Sequence, residues 1–395
     1  MGSRELVGLI ERFCKTENLE CYDPYDVWMT ELGIRVKQGY NRNKILGILP
    51  AASLTIWDYF LNNKGRRYYK KKEYPTVRAT AALTLLNLYG ATGNAQDLKF
   101  AKKHIDWLIA NSCNNYSGLC WGLGFKWAAG DGLDYDENTP FSTHTPYALE
   151  AIHNYIELSG DLGYVKYVER IYGFFENDIQ VMFEDERSMA TSYGPSKDRL
   201  ITNAVSYALY AYAIFSRYIP ERENYIRGKV QKLYNFVSDK QLQNGSWLYE
   251  PDNQGSFIDC FHSCFILKNI FKADQLVSLV GSESVVETGY SYVKNNFYNA
   301  EHKLFKRFTL SNKPSLVKFD LYDNAEMLHL SVLLGDKALS AILLDASKKN
   351  FIVGNAIYSV IDLFHLKRNK NTLRWAVMPY LYALSAELKA KRGMI

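Results

Sequence analysis

The chain has 395 residues, 47% of them hydrophobic and 23% charged, with a formal net charge of +5. This is ordinary globular composition, and no low-complexity or linker-like segment divides it, so one domain over residues 1–395 is expected. The charge is modest and no recognition motif accompanies it, which argues against nucleic acid as a partner.

The N-terminus carries Glu5 and Glu11 where a secretory signal would have its apolar core, so a cytoplasmic protein is expected. Leu6 stands where a myristoylation signal needs Ser or Thr. No run of about 18 uninterrupted apolar residues exists, so no transmembrane segment is expected. The segment "NKGRRYYKKKEYP" at 63–75 is strongly basic. It reads as a solvated loop or, within 64–72, as a contact for a membrane, a protein or an anionic polymer.

Helix pairs follow. Residues 76–112 read as an apolar helix, a Thr-Gly-Asn turn and an amphipathic helix. Residues 142–178 repeat the plan around Ser-Gly-Asp, and 201–241 repeat it with Pro220 at the break. Further copies lie at 257–297 and 319–350, and 372–391 looks like the first helix of a sixth. In each pair the first helix is apolar nearly all round and should be buried, while the second should face solvent. Inner apolar helices ringed by amphipathic ones describe an all-α, (α/α)6-type toroid, with N-terminal helices at about 1–65 closing the ring. Irregular segments rich in Gly, Trp and Tyr follow the outer helices and lead into the next inner helix, so they should gather on one rim. Long loops on a compact scaffold usually carry function.

Polar residues recur at the starts of the inner helices: Arg78, His144, Asn203, Asp259 with His262, Asp320 with Tyr322 and Asp323, and Arg374 with Trp375. Asp and Asn there can be simple N-caps, but Arg and His are poor cappers. Six such positions imply a shared polar cavity at one end of the ring. In "DCFHSCFILKNI", Asp259 and His262 share a helix face, so the carboxylate can orient the imidazole as a base or fixed donor. Cys260 and Cys264 lie on another face and read as packing residues. The six cysteines form no disulfide framework and no common zinc spacing, and neither a metal nor a cofactor is expected.

That same stretch resembles the Asp-x-Tyr-His-Thr-Cys-Tyr motif of protein prenyltransferase β subunits, which are (α/α)6 toroids whose histidine ligates zinc. The preceding "FVSDKQLQNGSW" resembles the Gln-Trp repeat of terpene cyclases, with Gln241, Gly245 and Trp247 in register. The family's cysteine ligand upstream and the Asp-rich cyclase motifs are missing, so the likeness supports the fold and not the chemistry. "YDPYDVW", "NGSWLYEPDNQGSFIDCFHSCFILKNI" and "LRWAVMPYLYALSAEL" look like toroid proteins of bacterial capsule and O-antigen clusters. That likeness implies carbohydrate chemistry on a surface polysaccharide or its precursor. Thirty Tyr, twenty Phe and seven Trp suit sugar rings as well as cores.

A carbohydrate-active enzyme with metal-independent acid/base chemistry is therefore expected. A hydrolase would draw its two carboxyl groups from Asp259, Asp320, Asp323 and Glu250. A uronate lyase or epimerase would use His262, Tyr249 or Tyr322 as base, with Arg78, His144, Asn203 or Arg374 on the sugar carboxylate. Trp121, Trp127 and Trp247 are candidate stacking platforms. The substrate is a carbohydrate, either an acidic polysaccharide or a lipid-linked glycan. Two other readings stand beside this one: a glycan-binding or scaffolding toroid, and an enzyme handling prenyl or polyprenyl chains.

Overall fold

The computed structural model describes residues 3–130, 133–311 and 315–392. The chain opens with α1 (Ser3–Cys14), a short α2 (Asp26–Met29) and the hairpin α3 (Glu31–Arg42) and α4 (Lys44–Ile56). Five pairs follow: α5 (Pro75–Thr92) with α6 (Ala95–Ala110), α7 (Thr145–Ser159) with α8 (Val165–Asn177), and α9 (Thr202–Tyr218) with α10 (Glu223–Asp239). Then come α11 (Cys260–Leu276) with α12 (Ser282–Phe297), α13 (Leu321–Leu333) with α14 (Lys337–Phe351), and α15 (Met378–Arg392).

The odd-numbered helices from α5 to α15 pack side by side in sequence order, and α15 packs back on α5, so six inner helices close a ring. Their burial follows from their sequences: every residue of α9 from Thr202 to Ser216 is buried. The even-numbered partners from α6 to α14 form the outer layer, and α1 lies against both α5 and α15 as the sixth outer helix. The architecture is thus an all-α toroid of the (α/α)6 type.

The turns between inner and outer helices have a local cause. Gly93 and Gly160 end α5 and α7 at φ 71°, a left-handed conformation that costs glycine nothing. Asn94 then accepts from the Gln96 amide and caps α6. The longer connections on the opposite end hold short antiparallel strands. The largest sheet pairs Ala356–Asp362 with Val317–Asp320, Lys367–Lys370 and Ile352–Val353. The Gln-Gly-Trp segment is a clasp. Gln241 donates to the Gly245 and Val285 carbonyls, and the Trp247 indole donates to the Val237 carbonyl.

One element departs from expectation. Lys44–Asn62, which is α4 and the wider turn that continues it, is long and apolar enough to cross a membrane by length and composition, and only 17% of it is buried. Pro50, Ser53, Thr55 and Asp58 interrupt it, which is why a search for an unbroken apolar run passes over it.

Candidate active site

A cavity of about 530 Å³ opens at the rim where the inner helices begin. Fourteen of its 28 lining residues are Phe, Tyr or Trp, so its wall is chiefly aromatic. Inner helices contribute residues about one turn apart: Thr76 and Thr80, His144 and Tyr147, Asn203 and Tyr207, Phe261 and Phe265, Tyr322 and Glu326. That spacing is one face of a 3.6-residue helix. Loops add Phe125, Trp127, Tyr193, Arg199, Tyr249 and Trp375, and Tyr25 comes from the "YDPYDVW" segment.

His262 lines this cavity, and its Nδ1 lies 2.9 and 2.8 Å from the two Asp259 oxygens. Asp259 is buried at the N-terminus of α11, yet its side chain caps no amide there, being committed to the histidine. With Asp259 as carboxylate, Nδ1 carries the proton and Nε2 presents its lone pair. The ring packs against Phe261 and Tyr249, with centroids 4.0 and 4.7 Å away. The imidazole is therefore fixed in both orientation and tautomer.

Asn203 also lines the cavity, is buried, and has a carbonyl oxygen with no hydrogen-bond partner. Of the two arginines in the wall, Arg199 has the looser partner: Glu250 lies 3.5 Å away, and the Tyr193 and Tyr249 rings flank it at 5.7 and 5.9 Å. Arg374, by contrast, is held by Asp23 through contacts of 2.6 and 2.8 Å. Glu326, in the wall of the cavity, is tied to Lys268. Burial and, secondarily, Arg374 pull His144 down to about 3, so it is a neutral hydrogen-bonding group. Burial pushes Tyr249 and Tyr322 well above the ordinary phenol range, which makes them donors and poor bases.

Beneath the cavity floor Arg307 joins two buried carboxylates, contacting Asp320 at 2.5 Å and Asp323 at 3.1 Å. Asp323 also accepts from the Phe261 amide, and Asp320 accepts from the Tyr322 amide and the Trp375 indole. This cluster locks the starts of α11 and α13 and the Trp375 ring into one arrangement. Ala376, next along, sits at φ 84°, a strained conformation for a residue with a Cβ. The Ser359 and Thr372 hydroxyls hold it by donating to the Trp375 carbonyl.

Of the residues expected at the site, His144, Asn203, Tyr249, His262, Tyr322, Arg374, Trp375 and Trp127 line the cavity, and Asp259 backs His262. Six do not line it. Asp320 and Asp323 face Arg307, because they sit on α13's flank and not on the face of Tyr322 and Glu326. Glu250 lies outside, accepting from Arg199 and from Asn253. Trp121 is a core residue whose indole donates to the Leu108 carbonyl, and Trp247 is the clasp described above. Arg78 is two positions from both Thr76 and Thr80, about 200° around the helix. It points outward to Glu73 and His104. Residues that sequence reasoning missed include Arg199, Tyr147, Tyr207, Phe265 and Glu326. Several of these stand three or four positions beyond a residue that was singled out, so helical spacing could have found them.

The displaced Arg78 cluster has a measurable consequence. His104 is fully buried, and burial is the main reason it is lowered to about 4 from 6.5. A depressed folded-state value means stability is present above about 6.5 and is lost as pH falls toward 4. From pH 7.5 to 5.0 this one group removes about 2 kcal/mol. A His104→Gln variant should show a correspondingly smaller loss in denaturant titrations at the two pH values. The opposing slope from Asp26, raised by burial to about 7, is common to both proteins and cancels.

Both cysteines of α11 are fully buried in the core, with Cys264 Sγ 3.9 Å from Met327 Sδ. Among the described residues, no group of three or more His, Cys, Asp and Glu is placed to hold a metal ion.

No protein-family model matches the chain, and no curated protein sequence matches it. Solved structures do. A sugar epimerase from a ruminal bacterium superposes with a TM-score of 0.59 at 14% identity, over 82% of this chain and 90% of that one. Cellobiose 2-epimerase from Bacillus thermoamylovorans gives 0.62 at 10% identity, over 82% and 88%. The GH76 α-mannanase from Bacteroides thetaiotaomicron gives 0.59 at 9% identity, over 94% and 99%. At such identities the shared property is the fold, and it is the (α/α) toroid on which these carbohydrate-processing enzymes are built.

Proposed function

We propose that the protein is a carbohydrate-active acid/base enzyme that removes a proton from the sugar carbon next to a carboxylate, as an epimerase or lyase of an acidic glycan does. The observation that carries this reading is the His262–Asp259 pair opening onto an aromatic-walled cavity. His262 Nε2 is the base. Asp259 holds its tautomer and stabilises the imidazolium that forms. Arg199 and the side-chain NH2 of Asn203 donate to the sugar carboxylate, whose charge grows onto its oxygens as the proton leaves. Tyr249 and Tyr322, held protonated by burial, donate to the opposite face or to a leaving oxygen. Trp127 and Trp375 stack on sugar rings. The toroidal structures it resembles, two sugar epimerases and an α-mannanase, support a carbohydrate substrate.

A two-carboxylate hydrolase is disfavoured by the same geometry. Asp320 and Asp323 are locked on Arg307, Glu250 lies outside, and Glu326 is tied to Lys268. The substrate on this reading is a bacterial surface polysaccharide or its lipid-linked precursor, with the basic run at 64–72 close to a membrane surface.

Deuterium incorporation tests the reaction. In heavy water, an epimerase should place deuterium on the carbon beside the carboxylate, with inversion, whereas a lyase should remove that hydrogen, cleave the chain and leave an unsaturated uronate. Arg199→Gln should lower kcat/KM at least about 10- to 100-fold, the value of a charge-assisted hydrogen bond, with part of the loss in kcat because charge grows on the carboxylate as the proton leaves. New reducing ends with neither exchange nor an unsaturated product would establish a hydrolase instead. Glycan binding with no exchange and no cleavage would establish a binding toroid.

A further inference from the structure

The α3–α4 hairpin stands beside the cavity mouth and, among the described residues, has no packing partner on its outer side. Of α4's thirteen residues, Gly47 alone is buried. It rests on α3 so closely that a Cβ at Gly47 would lie 2.3 Å from the Tyr40 Cα. Ala51 and Leu54 are half-buried and the other residues are open, with Ile45, Leu46 and Leu49 at 84, 75 and 75% exposure. The patch continues beyond the helix. Leu61 is exposed, and Phe60 meets Phe364 with centroids 6.2 Å apart, at the tip of a strand hairpin whose Leu363 and Leu366 are exposed as well. Soluble proteins rarely leave so much contiguous apolar surface uncovered.

The charge around the patch says what covers it. Between Leu32 and Lys72 the sequence has ten basic residues and one acid, Asp58, although the whole chain carries only +5, so the remainder is net acidic. Asp58 is buried and bonded to the Tyr69 hydroxyl at 2.5 Å, so it offsets none of the surface charge. Lys44, Lys64, Arg67, Lys70 and Lys71 are all exposed. An apolar helix framed by exposed cations fits an anionic lipid surface, where acyl chains take the helix and headgroups meet the lysines.

The geometry also fixes the mode. With its continuation to Asn62 the helix is about 28 Å long, near the roughly 30 Å hydrocarbon core, so its tethers and not its length decide the mode. Both its ends are tied to the body. On one side Lys37 of α3 lies over the Trp127 ring, 3.1 Å from its centroid. On the other, Asn63 and Arg66 bond to Asn369 at 2.8 and 2.6 Å, and the Arg368 guanidinium lies 4.9 Å from the Tyr59 ring centroid. The helix cannot cross without unfolding these contacts. We infer that the protein docks on anionic bilayers with α4 lying in the interfacial plane, which sets the cavity mouth, through Trp127 beside α3, close to the membrane. This inference stands apart from the chemistry proposed for His262.

The test is sedimentation of the full chain with vesicles of phosphatidylcholine alone or mixed with phosphatidylglycerol. The protein should bind the mixed vesicles, bind neutral ones much less, and release at high salt. Leu46→Glu with Leu49→Glu should weaken binding at least about tenfold, since each leucine contributes to the buried apolar area. Lys70→Glu with Lys71→Glu should lose the preference for anionic vesicles, at about tenfold or more. All four positions are exposed, so melting should be unchanged in both variants and activity on a soluble glycan should be retained. Failure to bind either vesicle would overturn the inference. So would a dimer, seen by light scattering, that the leucine variant dissociates, because the patch would then be an interface between copies. Loss of activity with vesicle binding intact would bear on the His262 chemistry alone.

Discussion

His262→Asn is expected to lower turnover by about two to four orders of magnitude while leaving the fold intact, if His262 is the general base. Asparagine places an amide nitrogen where Nδ1 stands, so the buried Asp259 keeps a donor, but nothing replaces the Nε2 lone pair. His262→Ala makes an informative contrast. Activity should fall as far, and stability should fall as well, by roughly 1–3 kcal/mol, because Asp259 is left buried and unpartnered. Asp259→Asn should keep the imidazole in place yet disturb its tautomer, so turnover drops with little change in KM. These three variants are read by turnover per folded molecule, with circular dichroism melts as the control. If His262→Asn retains near-normal turnover, the histidine is a satisfied wall residue and the base lies elsewhere.

Arg307→Met should cost about 3–5 kcal/mol of stability, the range for removing one member of a buried ionic cluster. Asp320 and Asp323 are 1% and 0% exposed, and both would lose their cation. Asp323 already sits at about 7, raised chiefly by burial and lowered again by Arg307. Without Arg307 it should be protonated at neutral pH, so the variant should recover stability as pH falls. Adding Asp320→Asn and Asp323→Asn to Arg307→Met should restore part of the loss, since neutral amides carry no buried charge. Denaturant midpoints at pH 5 and 8 measure both effects. An Arg307→Met protein as stable as the parent would mean that the carboxylates are solvated and the cluster is not a scaffold.

The hairpin order of the helices was legible because it depends on local chemistry. Gly93 and Asn94, or Gly160 and Asp161, specify where one helix ends and the next begins, whatever lies around them. The apolar run from Ala204 to Phe215 specifies an inner helix, because only burial on all sides suits it. Six such units in a chain of this length leave few arrangements, and the ring is one of them.

Which end of the ring carries the cavity was legible too, since polar residues at helix starts must face a common space or each find a private partner. Both outcomes occur. His144, Asn203, His262 and Tyr322 share the cavity, whereas Arg78, Asp320 and Asp323 found partners of their own. A shift of one or two positions turns a side chain by 100 or 200° on a helix. The axis of the ring that defines zero on that dial exists only once six helices have packed. Loop residues were harder still. Trp121, Trp127 and Trp247 have the same side chain and similar Gly-rich neighbours, yet only Trp127 reaches the cavity. Arg307, from a loop between α12 and α13, became the hub of the floor through bonds to residues 13 and 16 positions away. The sequence by itself determined the helices, their pairing and the polar end of the toroid, because these follow from periodicity and turn chemistry within a few tens of residues. The tertiary structure alone decided which side chains meet in the cavity and which cations are left for a ligand, because those depend on helix rotation and on loop contacts between distant parts of the chain.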